Sequence, residues 1–544
     1  MAKYEPVSPE EAELNAAVEA ILNSDSPKKL VVAGPGTGKT TLFKKMLEVA
    51  PGEPSQRIVL TFINNLKDDL KKDLGDLAKV FTLHSYCLRL LYREAKLRGS
   101  LSPDFRCCPG LASLIAEDWE FIEGSEAPQF VGEMRSLAEK NHIPFYLARG
   151  DYYDAVDFDD NVYRVLCGLK AGRVAVDSYE LVLVDEYQDF NALEAGIIDL
   201  LGGHNRILIA GDDDQALYSP LRDASWDHIR LLRTVGEYKF FELPFCMRCP
   251  KVVVDAVRDV ITKAHKLGKL KGRIEKPYKY FYPAKGADSK KYPKIARVET
   301  TVQSKKVNYM GRYIARAIAE IPQDEVKAAM SGGYPIALVI VAKPYRDQII
   351  TYLKSDGFAI ETRGESSPKL SRETGLSILK RDRNSNIGWR IILGIDEPPF
   401  RREAIKQTAD RTKALASLIP VEYRKSVIAE VNVFKPAEST RDDKEKKPVE
   451  LRCVQVTSFE GAKGLSAQHV FIAGLHDGEL PRDPASVKDI EICKFVVGLT
   501  RTRKKCTLVY TRHFADGWKS PSAFISWIAP DRLDFVKVDK AYWK

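Results

Sequence analysis

The amino-acid sequence predicts an α/β fold with buried parallel strands, and three segments carry that reading. Leu30-Val31-Val32 is a short apolar run, followed by a loop of small residues from Ala33 to Thr40 and a helical stretch from Thr41 to Val49. Leu181-Val182-Leu183-Val184 is four apolar residues in succession, as expected of a strand covered on both faces, and it ends in the carboxylates Asp185 and Glu186. A third run, Arg206 to Ala210, ends in Gly211-Asp212-Asp213-Asp214-Gln215. Open α/β sheets bind ligands at the carboxyl ends of their strands, so these polar groups belong to one candidate site.

The loop after the first run has a phosphate-binding pattern. Ala33-Gly34-Pro35-Gly36-Thr37-Gly38-Lys39-Thr40 fits the strand–loop–helix motif, with alanine in place of the usual first glycine. Small residues let backbone N–H groups wrap phosphates at a helix N-terminus, which makes Gly34, Pro35, Gly36, Thr37, Gly38, Lys39 and Thr40 the candidate nucleotide contacts. The Lys39 ammonium would reach the β- and γ-phosphates, and the Thr40 hydroxyl would ligate Mg²⁺. Asp185 would complete the Mg²⁺ shell, and Glu186 would orient or deprotonate the attacking water.

With these motifs the sequence resembles the UvrD/Rep-like superfamily 1A DNA helicases, in the family's motif order across most of the chain. Val184-Asp185-Glu186-Tyr187-Gln188-Asp189 and Gly211 to Tyr218 match its nucleotide motifs. Leu60-Thr61-Phe62-Ile63-Asn64-Asn65 and Thr82-Leu83-His84-Ser85-Tyr86 resemble its two early DNA-contacting motifs, and Asp157-Phe158-Asp159-Asp160 a shorter signature. Leu243 to Pro250, with Arg248, takes the place of the fourth motif. Ser458 to Ser466, around Lys463-Gly464-Leu465, resembles the fifth, and Glu491 to Lys505, around Leu499-Thr500-Arg501, the sixth.

The resemblance implies two RecA-like P-loop NTPase lobes with parallel sheets, each carrying an insertion, with ATP in the cleft and single-stranded DNA across the top. It divides the chain into a first lobe (1–86 and 177–245), a helical insertion (87–176), a second lobe (246–362 and 452–544) and a reduced 2B-like insertion (363–451). Arg248 and Arg501 would reach the γ-phosphate from the second lobe and join Lys39, Asp185, Glu186 and Gln215 as the catalytic set. Gln188 and Gln215 would sense that phosphate, with Gly464 among the nucleotide contacts. DNA would meet Phe62, Asn64, Thr82, His84, Ser85, Tyr218 and Arg222. The implied activity is ATP-dependent translocation on single-stranded or tailed DNA, 3′ to 5′, with or without unwinding. The alternative is a DNA-sensing ATPase subunit that licenses a partner nuclease, as in a phage-defence complex. An RNA helicase fits the nucleotide chemistry but not the family motifs.

Four departures from the family qualify this picture. No glutamine precedes the phosphate loop in Glu10 to Val18, where the family reads adenine. The stretch Tyr218-Ser219-Pro220-Leu221-Arg222-Asp223-Ala224 lacks the family's base-stacking aromatic, a loss that either weakens the grip on DNA or is offset by Tyr218 or Trp226. The fifth motif has Glu460 and Ser466 where histidine and glutamate are usual. The insertion in the second lobe is short, which points to a translocase that needs a partner or is not self-inhibited.

Composition agrees with a soluble, multidomain protein: 544 residues, 44% hydrophobic and 29% charged. The N-terminus has no apolar segment of a secretory signal, no run is long enough to span a membrane, and nine scattered cysteines suit a reducing cytoplasm. The net charge of +9 is concentrated: residues 251–300 hold 14 Lys+Arg against 5 Asp+Glu, an excess equal to that of the whole chain. Tyr278, Tyr280, Phe281, Tyr282 and Tyr292 are interleaved there, the composition of a nucleic-acid surface. Cys246-Met247-Arg248-Cys249 has metal-compatible spacing but no second pair nearby, so no metal site is expected there.

Overall fold

The structure, a computed structural model, describes residues 7–62, 64–138, 141–301, 309–362, 370–435, 453–514 and 517–543. Two all-parallel sheets organise it. Across the first, the strands run Lys79–Thr82, Arg57–Thr61, Leu181–Val184, Ile207–Gly211, Lys28–Ala33 and Lys239–Leu243. Leu181–Val184 is buried throughout, as its unbroken apolar run predicts. The strand order sets Ile207–Gly211 between the carboxylate strand and the strand that feeds the phosphate loop, with Leu183 beside Leu208 and Val31 beside Ala210. Because every strand is parallel, the segments at 34–40, 185–189 and 211–215 all emerge on one edge.

The second sheet runs Ala359–Thr362, Cys453–Thr457, Ala337–Val341, Ala467–Ala473, Thr502–Thr511, Ile295–Thr300 and Leu533–Val538. Helices Lys251–Lys266 and Asp489–Thr500 share its core through Val253, Val260, Ile492 and Val496. Helices Tyr309–Ala319 and Lys343–Ser355 join a separate cluster through Ile314 and Ile349.

Two helical bodies lie outside the sheets. Leu83–Arg93, Leu111–Ile122, Ile143–Tyr153 and Phe158–Lys170 intervene between strands of the first sheet. Arg372–Arg381, Asn386–Asp396, Arg401–Lys406 and Val421–Val433 form a small cluster around Leu379, Trp389 and Ile392. The two bodies are joined by a buried ionic knot. Arg390 Nε donates to one oxygen of Asp118 at 2.8 Å, and Arg149 Nη2 to the other at 2.6 Å. All three side chains are fully buried. Arg149 also donates to the Thr408 carbonyl at 3.1 Å, and Ile387 and Ile391 enter the same apolar core as Leu114 and Ile115.

Candidate active site

The phosphate loop has the backbone its sequence requires. Gly36 and Gly38 have φ of 74° and 91°, a region in which a side chain is strained. Gly38 caps helix Lys39–Val49 without a side-chain hydrogen bond, leaving that N-terminus suited to an anion. Lys39 Nζ donates to the Ala33 carbonyl at 3.4 Å and lies 3.9 Å from Glu186.

Arg248 and its neighbours stand directly on this loop. The Met247 N–H donates to the Gly36 carbonyl at 2.9 Å. A Cβ on Gly36 would lie 2.6 Å from that of Arg248, and one on Gly34 would lie 2.7 Å from the Tyr278 ring. The Tyr278 hydroxyl donates to the Pro35 carbonyl at 3.2 Å.

A continuous chain of contacts crosses the cleft from the second sheet to the carboxylates. Arg501 Nη2 donates to Gln215 Oε1 at 2.9 Å, and Gln215 Nε2 to Asp212 Oδ2 at 2.7 Å. The Asp212 N–H donates to Gln188 Oε1 at 2.9 Å, and Gln188 Nε2 to Glu186 at 2.5 Å. Asp185, Gln188, Asp212, Gln215 and Arg501 are all buried. Burial and the adjoining Glu186 charge push the Asp185 carboxyl up, to about 7. For Glu186 burial works upward too, but Lys39 and Lys463 outweigh it and hold the carboxylate ionised. Burial and the neighbouring Arg248 both work against the Arg501 charge, an arrangement that a phosphate anion between them would relieve.

Lys463 is a site residue that motif matching names without a role. Its buried ammonium pairs with Asp189, donates to the Gln215 carbonyl at 2.6 Å and lies 3.5 Å from Glu186. Its sequence signal is a lone cation in the stretch Gly461 to Leu465, too weak to find unaided. Gly464 is adjacent, with φ 81°.

The expected DNA contacts divide into two groups. Phe62, His84, Tyr218 and Arg222 converge: the Phe62 and Tyr218 ring centroids lie 5.1 Å apart, and the Arg222 guanidinium sits 4.4 Å over Phe62. Arg222 donates to His84 Nε2 at 3.1 Å. Burial, then Arg222, pulls the His84 pKa down to about 3, so the ring is neutral and accepts that bond. Tyr218 also donates from its hydroxyl to the Glu460 carbonyl at 3.1 Å, tying this cluster to the other lobe. Thr82 and Ser85 also serve the local fold: Thr82 Oγ1 accepts the Ser85 N–H at 3.2 Å and caps helix Leu83–Arg93. Asn64 opens helix Asn64–Leu74, and its side chain lies outside the described residues. Phe158, 38% exposed, meets His84 edge-on at 5.8 Å and is an aromatic face that the sequence reading did not assign.

The basic segment does not form one surface. Arg273 is bidentate to Asp214, at 2.7 Å for each bond, and Lys276 is almost fully buried among Asp212, Asp213 and Asp214. Tyr278 lies on the phosphate loop. Lys263, Lys266 and Lys271 remain exposed. The charge excess at 251–300 is thus partly consumed by inward pairing with acids some sixty residues away, which composition cannot show. Among the described residues the one group of His, Cys, Asp and Glu with metal-ligand proximity is this triplet.

Comparison with known proteins follows the same outline. Residues 15–220 match a family described as an AAA domain. An ATP-dependent DNA helicase UvrD2 of Mycobacterium tuberculosis is 23% identical over 424 residues, spanning 70% of this chain and 56% of that protein. The chain is similar to the UvrD/Rep-like DNA helicases. The ATP-dependent DNA helicase UvrD1 of Mycobacterium leprae is 26% identical over 37% of this chain and 33% of its own length. The ATP-dependent DNA helicase Rep of Buchnera aphidicola is 24% identical over 35% and 34%. The chain therefore spans between a third and somewhat over half of the length of these three relatives. Its paired parallel sheets and cleft agree with the two RecA-like lobes expected of that group. No helix among the described residues is long and apolar enough to cross a membrane.

Proposed function

We propose that the chain is an ATP-driven motor on single-stranded DNA, moving 3′ to 5′. The observation that carries this is the buried chain Arg501–Gln215–Asp212–Gln188–Glu186, which links the two lobes through the site where a γ-phosphate would lie. The names of the relatives, ATP-dependent DNA helicases, support it.

In this reading, residues 1–86 and 177–245 bind the nucleotide, and residues 246–362 with 452–544 present Arg248 and Arg501. Lys39 and the uncapped helix N-terminus hold the phosphates, and Glu186, kept ionised by Lys39 and Lys463, orients the attacking water. Thr40 and Asp185 offer the hard oxygen donors that suit Mg²⁺, which when bound would neutralise charge on the β- and γ-phosphates. Arg501 enters from the opposite lobe, so cleft closure assembles the catalytic set, and arginines so placed contribute roughly 10³–10⁵ in rate. Opening and closing of the cleft shift Glu460 relative to Tyr218, which packs on Phe62, and this conveys the nucleotide state to the DNA-facing cluster.

Strand displacement on duplexes with a 3′ or a 5′ single-stranded tail tests this. ATP-dependent unwinding of the 3′-tailed substrate is expected. DNA-stimulated hydrolysis with displacement of neither substrate would support a DNA-sensing ATPase that acts through a partner.

A further inference from the structure

The triplet Asp212-Asp213-Asp214 is a dense buried negative charge: a carboxylate oxygen from each lies within 4.8 Å of the others, and all three side chains are buried. Like charges so placed repel strongly unless a cation sits among them. That cation belongs to the other lobe. The Lys276 ammonium lies 2.8 Å from Asp212, 2.9 Å from Asp213 and 2.8 Å from Asp214, and its side chain is 2% exposed. Arg273 grips Asp214, Arg230 donates to Asp213 at 3.0 Å, and the Ile274 N–H donates to Asp213 at 2.9 Å. The Leu270 N–H donates to Asp489 Oδ1 at 3.1 Å, anchoring the segment to helix Asp489–Thr500, whose end carries Arg501.

The three carboxylates are not equivalent. Asp212 alone accepts from the Gln215 side chain, and its backbone N–H holds Gln188. One oxygen of Asp212 faces Lys276 while the other faces Gln215. Gln215 presents its carbonyl oxygen to Arg501 only while its amide nitrogen has Asp212 to bond. The orientation of the amide therefore depends on where the Asp212 carboxylate is held, and Lys276 holds it.

We propose that Lys276 is a positioning residue for nucleotide hydrolysis, acting through Asp212 on Gln215 and Arg501; this rests on the reading of the cleft as an ATPase site. Lys276 touches neither phosphate loop nor catalytic carboxylate, so its effect falls on the turnover step rather than on binding. Arg273 belongs to the same clasp but reaches only Asp214 and the exposed Glu275, so it serves stability and not this relay.

The test uses the full chain with Lys276→Met, Asp212→Asn and Arg273→Gln, each also in a Gln215→Ala background. Steady-state hydrolysis with single-stranded DNA, binding of a fluorescent ADP analogue and thermal melting are measured on all. Lys276→Met and Asp212→Asn are expected to lower kcat at least tenfold, with KM and analogue affinity within threefold of wild type. Neither should lower kcat further once Gln215 is alanine. Arg273→Gln should lower Tm but leave kcat within twofold. Asp212→Asn keeps the side-chain volume and removes one buried charge, so it carries the test if Lys276→Met does not fold. Wild-type kcat in Lys276→Met or Asp212→Asn, multiplicative losses with Gln215→Ala, or an equal loss of kcat in Arg273→Gln would each overturn the proposal. A wild-type protein without hydrolysis would instead refute the ATPase reading, a separate outcome.

Discussion

Arg501 and Gln215 meet across the cleft: a guanidinium nitrogen of the second lobe donates to the side-chain carbonyl of the first at 2.9 Å, with both groups buried. Gln215 has its amide nitrogen on Asp212, so it is fixed at both ends. Removing it frees Arg501 to relax toward its other partners, the Val497 and Leu465 carbonyls and the Thr500 hydroxyl. Gln215→Ala is therefore expected to lower kcat for ATP by about 10²-fold, toward the scale of losing a catalytic arginine, with little change in KM. Steady-state kinetics with saturating DNA measure both.

The Asp185 carboxyl makes this site sensitive to pH. Its pKa is raised from 3.8 to about 7 by burial and Glu186, so the folded protein holds a proton that the unfolded chain releases. This group's contribution is present below the unfolded value and is lost as pH rises through about 7. A divalent cation needs the ionised form, so its stabilisation grows over the same range. Thermal melts at pH 6 and pH 8 with and without Mg·ADP should show the larger nucleotide-induced rise in Tm at pH 8. In Asp185→Asn the difference between the two pH values should shrink.

Phe158 gives the cluster of Phe62, His84, Tyr218 and Arg222 an exposed aromatic ring. It is the exposed ring beside His84, whereas Phe62 is buried under Arg222. Stacking on an aromatic contributes about 1–3 kcal/mol per base, so Phe158→Ala should weaken binding of an oligothymidylate by roughly 5- to 150-fold. Its DNA-free hydrolysis should stay unchanged. Fluorescence anisotropy with a labelled oligonucleotide gives the first quantity, and a coupled assay the second.

The knot between Arg390 and Asp118 makes the small insertion part of the rigid frame. Arg390→Ala leaves the buried Asp118 with Arg149 but without its second arginine, and takes a partner from Glu117, in a network where breaking a pair costs about 3–5 kcal/mol. The urea midpoint should fall accordingly, and a donor–acceptor pair of dyes on exposed Glu123 and Glu422 should report a broadened distance distribution.

The nucleotide half of this site is legible in the sequence because it is local. The phosphate loop and the run ending in Asp185-Glu186 each put chemistry directly after a buried strand, and parallel pairing brings them to one edge. What escapes is long-range ionic pairing. Lys276 and Arg273 read as surface charge in a basic stretch, yet their partners are Asp212 to Asp214, which read only as polar groups on a sheet edge. Lys463 is named by its motif, but its pairing with Asp189 and Glu186 depends on how the lobes face one another. Thr82 and Ser85 show the converse: residue types that suit DNA contact are also those that cap a helix, and here they do. Strand Thr502–Thr511 begins before the apolar run Thr507 to Tyr510 because Thr502 pairs with Ala467 and Lys505 with His469, across a register shift.

The most direct test of the account is the rate of ATP hydrolysis by the purified chain with and without single-stranded DNA, wild type beside Lys39→Ala. A motor whose catalytic set is assembled by cleft closure should hydrolyse ATP at least tenfold faster with DNA, and Lys39→Ala should abolish hydrolysis in both conditions. Equal wild-type rates with and without DNA would contradict the coupling that the Arg501–Gln215 contact is held to provide.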